Sequence, residues 1–583
     1  MGVSSGLLLG LAALPAAMGV GIEIRAEQSV VTPRTTTTTN GPFPMPLCGT
    51  FKLEEATIDE MQQAMEDGTL TSVQLVKCYL ERTFQTNEYI NSLLQYNPDA
   101  LDIAAAMDAE RAAGNVRGPL HGIPFTVKDN IASKDKMETT AGSWALIGSK
   151  VPRDAHVVAR MREAGAVLLG KATLSEWADM RSNNYSEGYS GRGGQARSPY
   201  NFKVNPGGSS SGSAIGVAGN CVPISLGTET DGSIINPAMR NSLVGIKPSV
   251  GRTSRAGIIP ESEHQDTVGA IGKTVRDAVY ALDAIVGVDA RDNYTLAQPA
   301  VPADGYASFL TDKTALQGAR FGIPWKSYWT KADPEQLRIL TAALQLLEAA
   351  GAEIVNNTEI TRYDEIVAPE WWDWTYMEHI GGANTSEYTV VKVNFFNNIE
   401  TYLSELENTN IRTLQDIVDF NYANDGSEGG NPWPLGIPAF YSGQDGFLAS
   451  LETGGLKDEA YWQAVEFVSS VSRNGIDDAL GLNTEGATPL DGLLVPPDVA
   501  QSIQTPAQAG YPVITVPVGV HSASGMPFGL AVVQTAWKEA ELVKWGSAIE
   551  DAFKGTAHER VLPGWRDYMS RIIPVGNIYE GSG

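Results

Sequence analysis

The chain reads as an α/β fold organised around one large central sheet, on the strength of its strand runs, its helical spacings and its lack of internal linkers. Short apolar stretches with strand character recur at Ile123–Lys128, Val167–Gly170, Val222–Leu226, Gly492–Pro497, Pro512–Pro517 and Phe528–Val533. Helical patterns stand beside them, among them Ala155–Ala164 and Lys538–Phe553, and such alternation marks an α/β architecture. No composition break divides the chain after about residue 50, so one domain is expected over 48–583.

The N-terminus reads differently. Gly2–Ile22 carries no charge, Leu7–Ala17 is an apolar run of the length of a signal-peptide core, and Ala17 and Gly19 are small enough to flank a cleavage site. Residues 1–21 are therefore expected to be a signal peptide and the protein to be secreted. No Lys or Arg precedes the apolar run, so an uncleaved anchor and a cytoplasmic protein with a plain tail are the alternatives. Four Asn-X-Ser/Thr triplets, starting at Asn184, Asn293, Asn356 and Asn384, agree with secretion and N-glycosylation. Residues 22–47, with Thr32-Pro33 and the run Thr35–Thr39, have too little apolar surface to fold and read as a flexible tether.

Helices open the domain. Thr57-Ile58-Asp59-Glu60 and Thr71-Ser72-Val73-Gln74 are capping boxes, the second followed by Val73, Val76 and Leu80 at helical spacing. The middle, residues 325–470, is helix-rich by pattern, broken by a Gly/Asn/Pro-rich loop over Asn424–Pro438. There is no internal repeat.

Composition bounds the function. With 43% hydrophobic and 19% charged residues the chain can bury a large core. The 68 acidic against 42 basic residues leave a net charge of −26, which repels phosphate backbones and disfavours nucleic-acid binding. Cys48, Cys78 and Cys221 allow at most one bridge and match no zinc spacing, and the six histidines are scattered without a metal-ligand pattern. No metal, no other cofactor and no stable membrane association are expected; the oligomeric state is not legible.

The chemistry concentrates in Asn205–Pro237, where Gly207–Gly212 (GGSSSG) and Gly227–Ser233 (GTETDGS) flank the strand-like Val222–Leu226. Glycines let several N–H groups converge on one point, and a serine at the end of such a loop can act there, so an oxyanion hole beside a nucleophile is the natural reading. Two other motifs compete. Gly165–Lys171 falls one residue short of a P-loop, but its phosphate-cradling positions are apolar and Ala172 lacks the magnesium hydroxyl. Gly208–Gly212 also fits the GxSxG elbow of α/β-hydrolases around Ser210, which needs a preceding strand and a downstream histidine. Phe202–Pro206 is a poor strand, and His264, His379, His521 and His558 stand in no triad setting.

A third element separates these readings: His121–Asn130 (HGIPFTVKDN) puts Lys128 at the end of an apolar strand. Lys128, GGSSSGS and GTETDGS together resemble the amidase signature family of serine hydrolases. The resemblance runs from about Cys48 to the C-terminus, is densest over Leu120–Val286 and weakens over 325–470. Thr139–Ser143, Leu174–Ala178 and Arg192–Gln195 look most like the branch containing bacterial peptide amidases, which deamidate peptide C-termini.

The resemblance implies a mixed central sheet with helices on both sides, no cofactor, and a linear amide, a small molecule or peptide, as substrate. It implies Ser233 as nucleophile, Ser209 as a bridging serine on a cis peptide bond, Lys128 as base, and the backbone N–H groups of Thr230, Asp231, Gly232 and Ser233 as oxyanion hole. Desolvation at the strand end would bring the lysine into the range of a base. Glu229, Asp231 and Ile235 depart from the family's usual aspartate, glycine and arginine, which puts the loop's supporting ion pairs in question; Asn236 also differs and takes no role. In this fold Trp372 and Trp433, from the aromatic stretches Trp371–Tyr376 and Asn431–Pro434, are expected to line the acyl-side pocket. A serine esterase or amide hydrolase of α/β-hydrolase type, a non-catalytic binder and a transamidation subunit are the alternatives.

Overall fold

The computed structural model describes residues 42–369, 373–432, 439–499 and 501–577. Its centre is an eleven-stranded mixed sheet flanked by helices. In chain order the strands are β1 (Leu93–Tyr96), β2 (Pro124–Lys128), β3 (Val167–Ala172), β4 (Ile224–Glu229), β5 (Val244–Lys247), β6 (Thr267–Gly272), β7 (Arg320–Ile323), β8 (Glu353–Asn356), β9 (Gly492–Val495), β10 (Val513–Val520) and β11 (Pro527–Val533). Across the sheet they run β1-β3-β2-β4-β6-β5-β10-β11-β9-β7-β8.

Parallel pairing joins β3, β2 and β4 on one side and β9, β7 and β8 on the other, and the remaining neighbours are antiparallel. The parallel strands β2, β3 and β4 are buried along their whole length, as strands covered on both faces must be. Their polar side chains are matched between strands: Thr126 Oγ1 donates to Ser225 Oγ at 2.8 Å, and Ser225 Oγ donates to the Thr126 carbonyl at 3.1 Å.

Both capping boxes form, at the starts of helices Ile58–Glu66 and Ser72–Ile90. Cys48 and Cys78 are joined by a disulfide, and Cys221 is free and buried. Packing reaches ahead of Cys48, because the Phe43 ring lies 4.6 Å from that of Tyr89 and 4.9 Å from that of Trp565. The main core spans both halves of the sheet, and a second apolar cluster joins Trp177 to Phe395 and Phe447 of the helical middle.

Two strand expectations shift. The run at Val222–Leu226 becomes β4 only from Ile224 and continues to Glu229: Pro223 has no N–H for a ladder, whereas Gly227, Thr228 and Glu229 pair with Gly269, Val268 and Thr267. The helical middle contains β8, a half-exposed edge strand parallel to β7 whose sequence EIVN has too little apolar content to stand out.

Candidate active site

Register brings the site together. β2 and β4 are parallel with Thr126 opposite Ser225 and Val127 opposite Leu226, so their carboxyl ends deliver Lys128 beside Thr228. Ligand sites of parallel sheets form at such ends. The Lys128 Nζ donates to Ser209 Oγ at 2.7 Å, to Thr228 Oγ1 at 2.9 Å and to the Thr228 carbonyl at 3.3 Å. Ser209 Oγ lies 3.0 Å from Ser233 Oγ and donates to it. Lys128 and Ser209 are fully buried, Ser233 is 5% exposed, and the Gly208–Ser209 peptide bond is cis.

Thr228 was not legible as a site residue, yet it orients the lysine. An ammonium has three donors and all three are used here; a neutral amine keeps two N–H groups for Thr228 and turns its lone pair toward Ser209. Burial pulls Lys128 down to about 8, against the carboxylates of Glu261, Asp179, Asp266 and Glu187, which favour its charged form. Burial in turn pushes each of those four carboxyls up.

The serine loop is pinned from several sides. Ser175 N donates to the Ser209 carbonyl at 3.1 Å and Ser210 N to the Ser233 carbonyl at 3.2 Å. Glu187 accepts the Ser175 hydroxyl at 2.5 Å and covers Gly208 so closely that a Cβ there would lie 1.9 Å from its Oε1. Asn236, to which the sequence assigned nothing, accepts Gly208 N at 3.3 Å. Its signal was its place one turn beyond Ser233.

The departures from the family pattern find their structural setting. Glu229 Oε2 accepts Ile234 N at 2.7 Å and Ile235 N at 3.0 Å, where helix Ile235–Arg240 begins. A carboxylate there satisfies amides without an intrahelical partner. Ile235 is buried in the core. The cation near Glu229 is Lys247: burial raises the Glu229 carboxyl, and the Lys247 charge lowers it. Farther back, buried Arg181 bridges Glu176 at 2.5 Å and Glu428 at 3.2 Å, tying the loop after β3 to the helical middle.

Of the remaining sequence candidates, Ser210 Oγ donates to the Thr228 carbonyl at 3.0 Å. His264 bonds to the hydroxyls of Tyr294 and Tyr461, His379 to the Tyr376 carbonyl, His558 to the Val518 carbonyl and His521 to Ser524. Lys171 of the near-P-loop is spent inside the sheet on the Ile131 carbonyl and Thr139 Oγ1. Trp372 and Trp433 lie outside the described residues. Among the described residues no group of three His, Cys, Asp or Glu side chains is placed to hold a metal, and no helix is long and apolar enough to cross a membrane.

Known proteins resemble this chain in sequence and in fold. The family model described as Amidase matches residues 74–425. A Schizosaccharomyces pombe protein named as a putative amidase is 56% identical over 539 residues, covering 91% of this chain and 90% of its own. The native peptide amidase of Stenotrophomonas maltophilia superposes with a TM-score of 0.75 at 35% identity, covering 88% of this chain and 99% of that one. A structure of the peptide amidase PAM with the competitive inhibitor chymostatin gives 0.74 at 36% identity, covering 87% and 99%.

Proposed function

This chain belongs to the amidase family and is an amidase, and from that premise we propose that it cleaves linear carboxamides, peptide C-terminal amides foremost, through Ser233, Ser209 and Lys128. The observation that carries this reading is the unbroken contact from Lys128 Nζ through Ser209 Oγ to Ser233 Oγ, at 2.7 and 3.0 Å. Neutral Lys128 takes the Ser209 proton while Ser209 takes that of Ser233. The Ser233 oxygen attacks the amide carbonyl, and the backbone N–H groups of Thr230, Asp231, Gly232 and Ser233 hold the oxyanion, one well-placed donor being worth about 3–4 kcal/mol. The proton returns along the same path to the leaving nitrogen, which departs as ammonia from a primary amide. Water then cleaves the acyl-enzyme ester, releasing the carboxylic acid and restoring Ser233.

The peptide substrate draws support from the likeness to the two peptide amidase structures, one of them in complex with the competitive inhibitor chymostatin. The Trp374 ring stacks on that of Tyr388 at 4.7 Å, and the Tyr388 hydroxyl accepts from Asn183 in the loop between Asp179 and Glu187. An aromatic wall there suits a peptide acyl chain. A panel of amidated peptides, fatty amides, aryl amides and esters tests the reading: the highest kcat/KM should fall on amidated peptides, and a preference for esters or fatty amides would overturn it. Trp372→Ala and Trp433→Ala should change the ranking of acyl chains while Ser233 still reacts with a small probe; equal losses on every substrate would remove these residues from the pocket.

A further inference from the structure

Glu387 opens helix Glu387–Glu405, in the part of the chain that resembles the family least, and is fully buried. Its Oε1 accepts Gln265 Nε2 at 2.7 Å, and its Oε2 accepts Gln504 Nε2 at 2.7 Å and Gln508 Nε2 at 2.8 Å. These three partners are neutral amides rather than a cation. A buried carboxylate is costly, and this one is kept where three amides from two other segments converge.

One of those amides reaches the nucleophile loop. Gln265 Nε2 also donates to the Thr230 carbonyl at 3.3 Å, and the next residue, Asp266, accepts the Thr230 hydroxyl at 2.6 Å. Thr230 is thus gripped at its carbonyl and at its side chain. The helix bearing Gln504 and Gln508 meets the same loop directly, since a Cβ on Gly232 would lie 3.1 Å from Ile503 Cδ1.

The geometry points to Glu387 as a positioning residue that acts through Gln265 to aim the peptide unit between Thr230 and Asp231. The Thr230 carbonyl and the Asp231 N–H belong to one planar trans unit and point in opposite directions. Pinning the carbonyl on one side therefore directs the N–H to the other, and that N–H is one of the donors assigned to the oxyanion. Such donors work only when held close to the productive geometry. This inference rests on the assignment of Ser233 as nucleophile.

The test is the second-order rate of inactivation by a fluorophosphonate, whose phosphoryl oxygen occupies the oxyanion position, together with kcat and KM on an amidated dipeptide. Gln265→Met removes the donor to Thr230 at similar volume, and Glu387→Met removes the acceptor that holds Gln265. Each should slow phosphonylation and kcat by about tenfold or more, as small misplacements at an active site do, with KM little changed. The double variant should be no slower than the slower single, because both act along one path. Gln504→Met removes a bond to the same carboxylate but leaves the Gln265 link, and should keep the wild-type rate. Wild-type rates in a folded Gln265→Met protein, additive losses in the double variant, or an equal loss in Gln504→Met would overturn the inference. If Glu387→Met does not fold, Gln265→Met decides. Phosphonylation persisting in Ser233→Ala would instead overturn the assignment of the nucleophile, which separates the two failures.

Discussion

At the scale of the residue, the proposed mechanism turns on whether Lys128 is neutral. Burial lowers it to about 8, and only the amine accepts a proton, so kcat/KM should rise with pH through about 8 and level off above it; a profile flat across that range would remove Lys128 as the base. Ser233→Ala should abolish turnover, and Lys128→Ala should cost about 10²–10⁴-fold, the usual worth of a general base, with its residual rate climbing as hydroxide replaces the amine. Lys128, Ser209 and Ser233 stood out in the sequence because each sits in a short motif whose residue types suit chemistry better than packing, and the structure brings their side chains into contact. Gln265 and Glu387 did not stand out, and Thr228 stood inside GTETDGS without an assigned part, since the contacts of all three run between segments distant in sequence.

At the scale of the element, helix Ser211–Ala218 sets the serine loop against the end of β3. Gly212 makes this approach possible: a Cβ there would lie 2.3 Å from Thr173 N and 2.4 Å from its carbonyl oxygen, and backbone cannot step aside as a side chain can. Gly212→Ala should therefore destabilise the fold by about 1–3 kcal/mol, as overpacking does, lowering the urea midpoint; an unchanged midpoint would show that the helix can slide. The central strands β2, β3, β10 and β11 were readable from continuous apolar runs, and both opening helices from their capping boxes. The short strand β8 was not, because four half-exposed residues at a sheet edge carry little burial and take their state from the neighbour they pair with.

At the scale of the whole molecule, one sheet carries Lys128 and the serine loops, and the helical middle is tied to the segments around them through Arg181 and Glu387. We propose that this molecule is secreted. The four sequon asparagines, Asn184, Asn293, Asn356 and Asn384, are all exposed, and the Cys48–Cys78 bridge suits an oxidising compartment. Protein from its native host should begin near Val20 and lose mass on deglycosylation; an intact N-terminus without glycan would place it in the cytoplasm. The resemblance carried the fold forward from the sequence, whereas Trp372 and Trp433, expected at the acyl-side pocket, fall where that resemblance is thinnest and outside the described residues. The central claim, catalysis by Ser233 activated through Ser209 and Lys128, is tested most directly by labelling the protein with a fluorophosphonate and mapping the adduct by mass spectrometry. The adduct should fall on Ser233, vanish in Ser233→Ala and form far more slowly in Lys128→Ala. An adduct on Ser210, with activity lost on replacing His379, His521 or His558 but not Lys128, would contradict the account.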